Sequence, residues 1–520
     1  MIRLYEIRME LDENIQSVIR RCEKLLGTPI SDFSIIKRSI DARNKKDIFY
    51  VCNIQCNPLK QISPKKNLKY SKVINDVYKF PSGEFDKKVI IVGSGPAGLF
   101  SALCLARTGA CPIVIEQGSS VDIRAKKVND FFLTGTIDTN TNIQFGEGGA
   151  GTFSDGKLNT GVNDPRIRFV LEEFVRFGAP ENILYDSAPH IGTDILRKVV
   201  KNMRLEIIKL GGQVIFDTKM TELICEDKKI TGIKVCTSDN TEKIMTCDYL
   251  VLAIGHSARD TIKMLYKSGL TMDKKPFSIG VRIEHSQEHI NKALYGGFAD
   301  KLPAAPYKLW THLSTGCSLY TFCMCPGGYV VNAASQNNMV VTNGMSNNSR
   351  SGKNANSALL VNIKYNDTQD IFEGLKLQES IEHKAFINAG ENYNMPVQLL
   401  GDFINNTITN QLGDIEATIK PGYTFSNLNN ILPDYICHTI KQGVCDFDKK
   451  IKGFSAYDSV LTGPETRSSS PVKVYRDKTT FKTSIDGLYS AGEGGGHAGG
   501  ITSSAVDGIK VAEAIFNNCI

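Results

Sequence analysis

Residues 87–116 read KKVIIVGSGPAGLFSALCLARTGACPIVIE. Val89–Val92 is an unbroken apolar run, as a parallel strand covered on both faces requires. Gly93, Gly95 and Gly98 then give the spacing G-x-G-x-x-G. In such a turn the first glycine permits the bend. The second lets backbone approach a pyrophosphate, and the third lets a helix pack closely on the strand. Pro96 and Ala97 open a helix predicted over residues 96–107, whose N-terminal N–H groups suit phosphate. Gly109 ends it, and residues 112–115 are predicted as the next strand. Glu116 stands at that strand's end, where a carboxylate accepts ribose hydroxyls. A bare glycine-rich turn does not come between two apolar strands and close on an acid at this distance. The segment therefore reads as a dinucleotide-binding βαβ unit, and the fold class as α/β.

Residues 89–106 are apolar, but three glycines and a proline occupy their first half, with Arg107 and Glu116 close behind. That pattern argues against a membrane span. Arg3, Glu6, Arg8 and Glu10 leave no room for a signal-peptide core, so the expected location is cytoplasmic. A length of 520 residues predicts about two to four domains. The fourteen cysteines include no C-x-x-C, and reduced, mostly buried thiols are expected. The net charge of +6 is concentrated at one end. Residues 1–82 hold 16 Lys and Arg against 9 Asp and Glu, a net of +7, which leaves −1 for the rest.

Three regions follow from composition and periodicity. Residues 1–82 read as a basic βαββ module and linker. Its strands are predicted at 2–9, 33–40 and 47–55, with a helix over 13–26 capped by Asp12 and ended by Gly27; residues 58–86 read as linker. Residues 83–270 with 481–520 form a discontinuous nucleotide-binding domain. After Glu116 comes Arg124 and a polar loop to 142. Residues 146–157 then carry five glycines in twelve positions, too many for a regular element. Helices are predicted over 165–177 and 193–210. Strands at 213–216, 220–226, 230–237 and 242–246 read as a β-meander, and 249–254 as another buried strand. Residues 271–480 are richer in Asn, Ser and Thr. Strands at 308–313, 318–324 and 329–333 point to a mixed sheet with inserted helices, a substrate domain. Residues 487–516 are a short strand, a glycine-rich turn and a helix from 502.

This order resembles the glutathione-reductase-like flavoproteins, in which a β-meander, a Rossmann-like sheet and helices form three ββα-type layers and a second domain is inserted. More narrowly, five stretches resemble a bacterial family of uncharacterised FAD-dependent, NAD(FAD)-utilising dehydrogenase-like proteins. They are residues 144–158, 322–328, 341–346, 466–472 and 492–501. The resemblance implies FAD as cofactor. It places Gly148, Gly149 and Gly151 of the glycine loop at the flavin, with Arg124, Gly255, Gly500 and Ile501. Gly492-Glu493 stands where that fold has Gly-Asp, one methylene longer, and would hold the flavin ribityl or pyrophosphate edge. With a single G-x-G-x-x-G, NAD(P)H is expected at most as a transient electron donor, and another redox partner is the alternative. The implied activity is hydride transfer between flavin and a small-molecule substrate.

Candidate catalytic residues each carry two readings. His497, in the last glycine-rich turn, could hold a proton near flavin or substrate, or could bond only to backbone. Arg467 could clamp a carboxylate or phosphate, or brace its own loop. Cys323 and Cys325, at i and i+2 on a strand, would share one face. They read as core residues or as a redox pair including Cys325. The core reading is favoured because an extended strand holds i, i+2 thiols poorly for a disulfide. His256, His285 and His289 lack a ligand pattern, so no metal is expected. The basic module reads as a docking domain, or alternatively as an anchor for RNA.

Overall fold

A computed structural model describes residues 1–73, 78–365 and 369–518. Residues 74–77 of the expected linker, 366–368 of the inserted region and 519–520 lie outside the described residues. A parallel five-stranded sheet forms the centre of the nucleotide-binding region. Its order is Leu488–Ser490, Tyr249–Leu252, Val89–Val92, Ile113–Ile115 and Gln213–Ile215. All four neighbouring pairs are parallel. Alternation along Val89–Val92 sorts its side chains between two cores. Val89 and Ile91 pack under helices Pro96–Ala106, Thr193–Lys209 and Ile501–Asn517. Ile90 and Val92 pack under the three-stranded sheet Thr218–Glu226, Lys229–Thr237 and Glu242–Thr246. These are three layers of ββα type.

The middle of the chain adds an eight-stranded sheet around Ser278–Ser286, Ser318–Asn332, Asn354–Asn362 and Val460–Glu465. Helices Glu373–Asn388 and Asp434–Lys450 cover it over a separate core. The N-terminal residues build a third unit. Ile30–Asp41, Phe49–Pro58, Ile2–Met9 and Tyr70–Lys72 form one sheet in that order, with helix Ile15–Leu26 over its own core. This unit is packed on the body. Arg38 donates to Asp186 (2.9 Å), and Lys301 reaches Asp12 (2.9 Å). Among the described residues no helix is long and apolar enough to cross a membrane.

Several local expectations change. Asn14, not Asp12, caps the first helix by accepting from Gln16 N (2.7 Å), while Asp12 serves the contact with Lys301. Tyr70–Lys72, inside the expected linker, becomes an edge strand against Ile2–Met9. Gln213–Ile215 leaves the meander and joins the parallel sheet beside Ile113–Ile115, because the preceding helix is a crossover that returns the chain parallel. The polar stretch after Glu116 contains helix Val121–Thr134, ended by Gly135 in the left-handed conformation (φ 70). Ser318–Asn332 is one irregular strand rather than two.

Candidate functional site

A cleft of about 730 Å³ opens at the carboxyl ends of the parallel strands, where ligands of open α/β sheets bind. Three glycines of one turn have three different tasks there. Gly93 has φ +104, and a Cβ on it would lie 2.2 Å from the Ala253 carbonyl oxygen. A Cβ on Gly98 would lie 1.9 Å from the Gly93 oxygen, so Gly98 seats the helix and is not on the cleft wall. Gly95 is different: a Cβ there meets only Gly149 Cα, at 3.8 Å. Gly149 packs close beside Gly95, since a Cβ on Gly149 would lie 3.0 Å from the Gly95 Cα, and both line the cleft. Pro96 and Ala97 follow on the wall at the helix N-terminus, favourable for anionic groups.

Glu116 is on the wall, but its carboxylate already accepts four hydrogen bonds. Ser94 N and Oγ donate to Oε2 (2.9 and 2.7 Å). Gly118 N and Gly146 N donate to Oε1 (2.9 and 3.0 Å). The residue ties three loops together, a bracing role in addition to the expected contact with ribose. Arg124 is corrected further: it is fully buried and off the wall. Its guanidinium donates to the carbonyls of Asn142, Ile143, Gly146, Glu147 and Gly149. Burial pulls it down to about 10, still a cation at neutral pH, placed beneath the glycine loop. Gly148 also turns away from the cleft, its N–H donating to the Ser94 carbonyl (2.9 Å). Gly149 and Gly151 remain on the wall.

The far end of the cleft is built by the last strand and its neighbours. Gly255, Gly492, Glu493, Gly500 and Ile501 line it. Because Tyr249–Leu252 and Leu488–Ser490 run side by side, His256 and Glu493 emerge together, with Nδ1 3.2 Å from Oε1. His256 follows a buried parallel strand, and that place is the signal the sequence holds for it. His497 also lines the cleft, and burial pulls it down to about 4, so its imidazole is neutral at pH 7. The Nε2 atoms of His256 and His497 are buried without a hydrogen-bond partner. Open glycine backbone at one end and orphaned nitrogens at the other fit a long dinucleotide ligand.

The inserted sheet supplies the facing wall. Arg467 lies on it, but none of its five N–H groups is free. Nε and Nη2 hold Glu382 (3.1 and 2.7 Å). Nη1 donates to Ser257 (3.2 Å) and Ser335 (2.6 Å), and Nη2 also reaches Gln336 (3.5 Å). The brace, not the substrate clamp, is what this geometry supplies. Glu465, missed in the sequence, reaches the wall in a bidentate pair with Arg282 (2.8 and 2.7 Å). Cys323 lines the cleft, whereas Cys325 is buried behind it. The two do not share a face of a regular strand, because Cys323 adopts φ 43 at a register slip. Lys157 and Asp155 sit beside them, 2.9 Å apart. Asp155 is also held by Arg350 (2.6 Å). Despite its buried position, Asp155 stays far below the usual carboxylate range through the charges of Lys157 and Arg350.

Comparison with known proteins agrees with this geometry. Residues 276–468 match the family described as FAD-dependent protein, C-terminal domain-like. Residues 86–134 match an FAD binding domain, and residues 1–57 match a domain of unknown function. An uncharacterized protein of Clostridium beijerinckii is 45% identical over 531 residues, spanning 99% of this chain and 98% of that protein. The chain belongs to its family. The member described here uses FAD, and flavin-dependent oxidoreduction is its class of activity. Solved structures similar to this family member include the E. coli quinol fumarate reductase, at 12% identity, 84% coverage of this chain and 71% of that one, and a TM-score of 0.38. The Bacillus halodurans glycerol-3-phosphate dehydrogenase, complexed with FAD, is similar at 12% identity, 83% and 65% coverage and a TM-score of 0.35. Neither bears on the substrate.

Proposed function

We propose that the protein is a dehydrogenase or reductase that transfers a hydride between FAD and a small molecule held between the three-layer domain and the eight-stranded sheet. The observation that carries this reading is one continuous cleft joining the glycine wall at Gly95 and Gly149 to Glu493, His497, Glu465 and Cys323. Bound FAD supplies the two-electron redox chemistry. The chain's residues bind, orient and shield it. Gly95 and Gly149 would admit the pyrophosphate, and the helix N-terminus at Pro96 and Ala97 would face it. Glu493, steadied by His256, would accept hydroxyls of the ribityl chain. His497, neutral at pH 7, can hold or release a proton at Nε2. Residues 83–270 with 481–520 would form the FAD domain, 271–480 the substrate domain and 1–82 a docked module. NAD(P)H would visit the cleft as a transient donor.

The experiment is direct. Purified protein should be yellow, with flavin absorbance near about 450 nm. Anaerobic titration with NADH, NADPH and candidate metabolites should bleach that band with the true donor. A colourless protein that cannot be reconstituted with FAD would end this reading.

A further inference from the structure

Cys323 occupies an unusual place for a strand residue. The pairing of Ser318–Asn332 with Asn354–Asn362 slips between Phe322 and Cys325, and Cys323 takes up the slip at φ 43. Residues other than glycine adopt this conformation rarely, and it concentrates at functional sites. Arg282 Nη1 holds the bulge by donating to the Cys323 carbonyl (3.2 Å). The bulge carries the Cys323 side chain onto the cleft wall while Cys325 stays behind it. It also brings the two thiols together. The Cys325 thiol donates to the Cys323 carbonyl (3.3 Å), and Cys325 is the strongest influence on the Cys323 thiol.

The charges around this pair are Lys157, Arg282, Asp155 and Glu465. Both carboxylates have arginine partners of their own: Asp155 with Arg350 and Glu465 with Arg282. Lys157 Nζ is buried and makes no hydrogen bond, although it lies within ion-pair distance of Asp155. Its charge acts on both cysteines as well as on Asp155. The Cys325 hydrogen bond, aided by Lys157 and Arg282, holds the Cys323 thiol below its ordinary range against burial. The same hydrogen bond and burial push Cys325 up.

We propose that Cys323 is a nucleophilic thiolate on the substrate side of the cleft, that it attacks a small disulfide, and that Cys325 is the resolving thiol. A second thiol beside the nucleophile is what resolves a mixed disulfide, which suits a disulfide substrate. The proposal rests on the reading of this cleft as the flavin and substrate site. The Cys323 thiolate bonds to one substrate sulfur, and the substrate S–S bond breaks. The first leaving thiolate takes the Cys325 proton. Cys325 then attacks the Cys323 sulfur and expels the second thiolate, which is protonated by solvent. One substrate disulfide is reduced to two thiols, and two protein cysteines are oxidised to one disulfide. Restoring the Cys323 thiolate and the Cys325 thiol takes two electrons and one proton, and two electrons is what reduced flavin carries.

The test uses FAD-loaded, full-length protein. Iodoacetamide labelling across pH, mapped by peptide mass, takes the exposed Cys111, Cys225 and Cys445 as internal references. Cys323 should label with a midpoint about one pH unit or more below theirs, and Lys157→Met should raise that midpoint. With bis(2-hydroxyethyl) disulfide as probe, the wild type should form a Cys323–Cys325 disulfide. Cys325→Ser should trap the mixed disulfide on Cys323, and Cys323→Ser should do neither. A Cys323 midpoint equal to the references, or no adduct in Cys325→Ser, would overturn the proposal. Flavin absorbance in the same samples separates the cases. Inert Cys323 in yellow protein removes only the thiolate, whereas failure to hold FAD removes the cleft reading beneath it.

Discussion

Gly93→Ala and Gly95→Ala add the same methyl group two residues apart, yet they should fail in different ways. At position 93 the methyl would sit 2.2 Å from the Ala253 carbonyl oxygen on a backbone at φ +104. A positive φ costs a residue with a Cβ about 1–2 kcal/mol, and overpacking costs about 1–3 kcal/mol more. The sum, about 2–5 kcal/mol, is a large part of a typical stability of about 5–15 kcal/mol. At position 95 the backbone is ordinary, with φ −70, and the nearest heavy atom is 3.8 Å away. The FAD-free protein should therefore change by about 0.5 kcal/mol or less. The added group instead points into the space a pyrophosphate needs, so FAD retention should fall in Gly95→Ala and vanish in Gly95→Val. The assay pairs urea unfolding of FAD-stripped proteins with the flavin-to-protein ratio after desalting. Full flavin occupancy in Gly95→Val would refute the placement of the cofactor. Wild-type stability in Gly93→Ala would refute the close approach of the two strand ends.

Glu382 is fully buried and shared by Arg259 and Arg467, each at 2.7 Å. Glu382→Gln leaves two guanidinium groups short of one charge and should cost about 3–5 kcal/mol in urea unfolding; an unchanged midpoint would show that the network carries no such weight. His285 is buried with Nε2 2.8 Å from the Phe454 carbonyl, and burial pulls it from 6.5 to about 4. Below pH 6.5 the unfolded chain binds a proton that the folded chain refuses, so stability should fall between pH 6.5 and 4, by about 3 kcal/mol. His285→Gln should flatten that slope, and a slope that persists unaltered would assign it to other groups. Arg38 and Asp186 are partly exposed, so Arg38→Ala should cost less than about 1 kcal/mol and leave flavin content unchanged; loss of flavin on this substitution would mean that the N-terminal unit shapes the cleft.

Local pattern alone located the first nucleotide strand, its glycine turn and five helices of the N-terminal and nucleotide-binding regions, because hydrophobic period and glycine spacing act over a few residues. It located the glycine-rich walls of the cleft for the same reason. It did not distinguish Gly95, open to a ligand, from Gly98, pressed on backbone, since that difference lies in what stands opposite. Helix Val121–Thr134 was hidden because its buried Arg124 is satisfied by carbonyls 18 to 25 residues further on. Arg467 reads from its serine-rich stretch as either a clamp or a brace, and the fold decides by delivering Glu382 from 85 positions away. Cys323 and Cys325 looked like alternate residues of an extended strand, and only the slip against Asn354–Asn362 turned one of them into the cleft. A sequence determines where its chain bends and which faces are apolar. Which charges meet, which thiol is exposed and which glycine faces a ligand are decided by contacts between segments far apart in the chain, because hydrogen bonds and ion pairs act over a few ångströms of space irrespective of sequence distance.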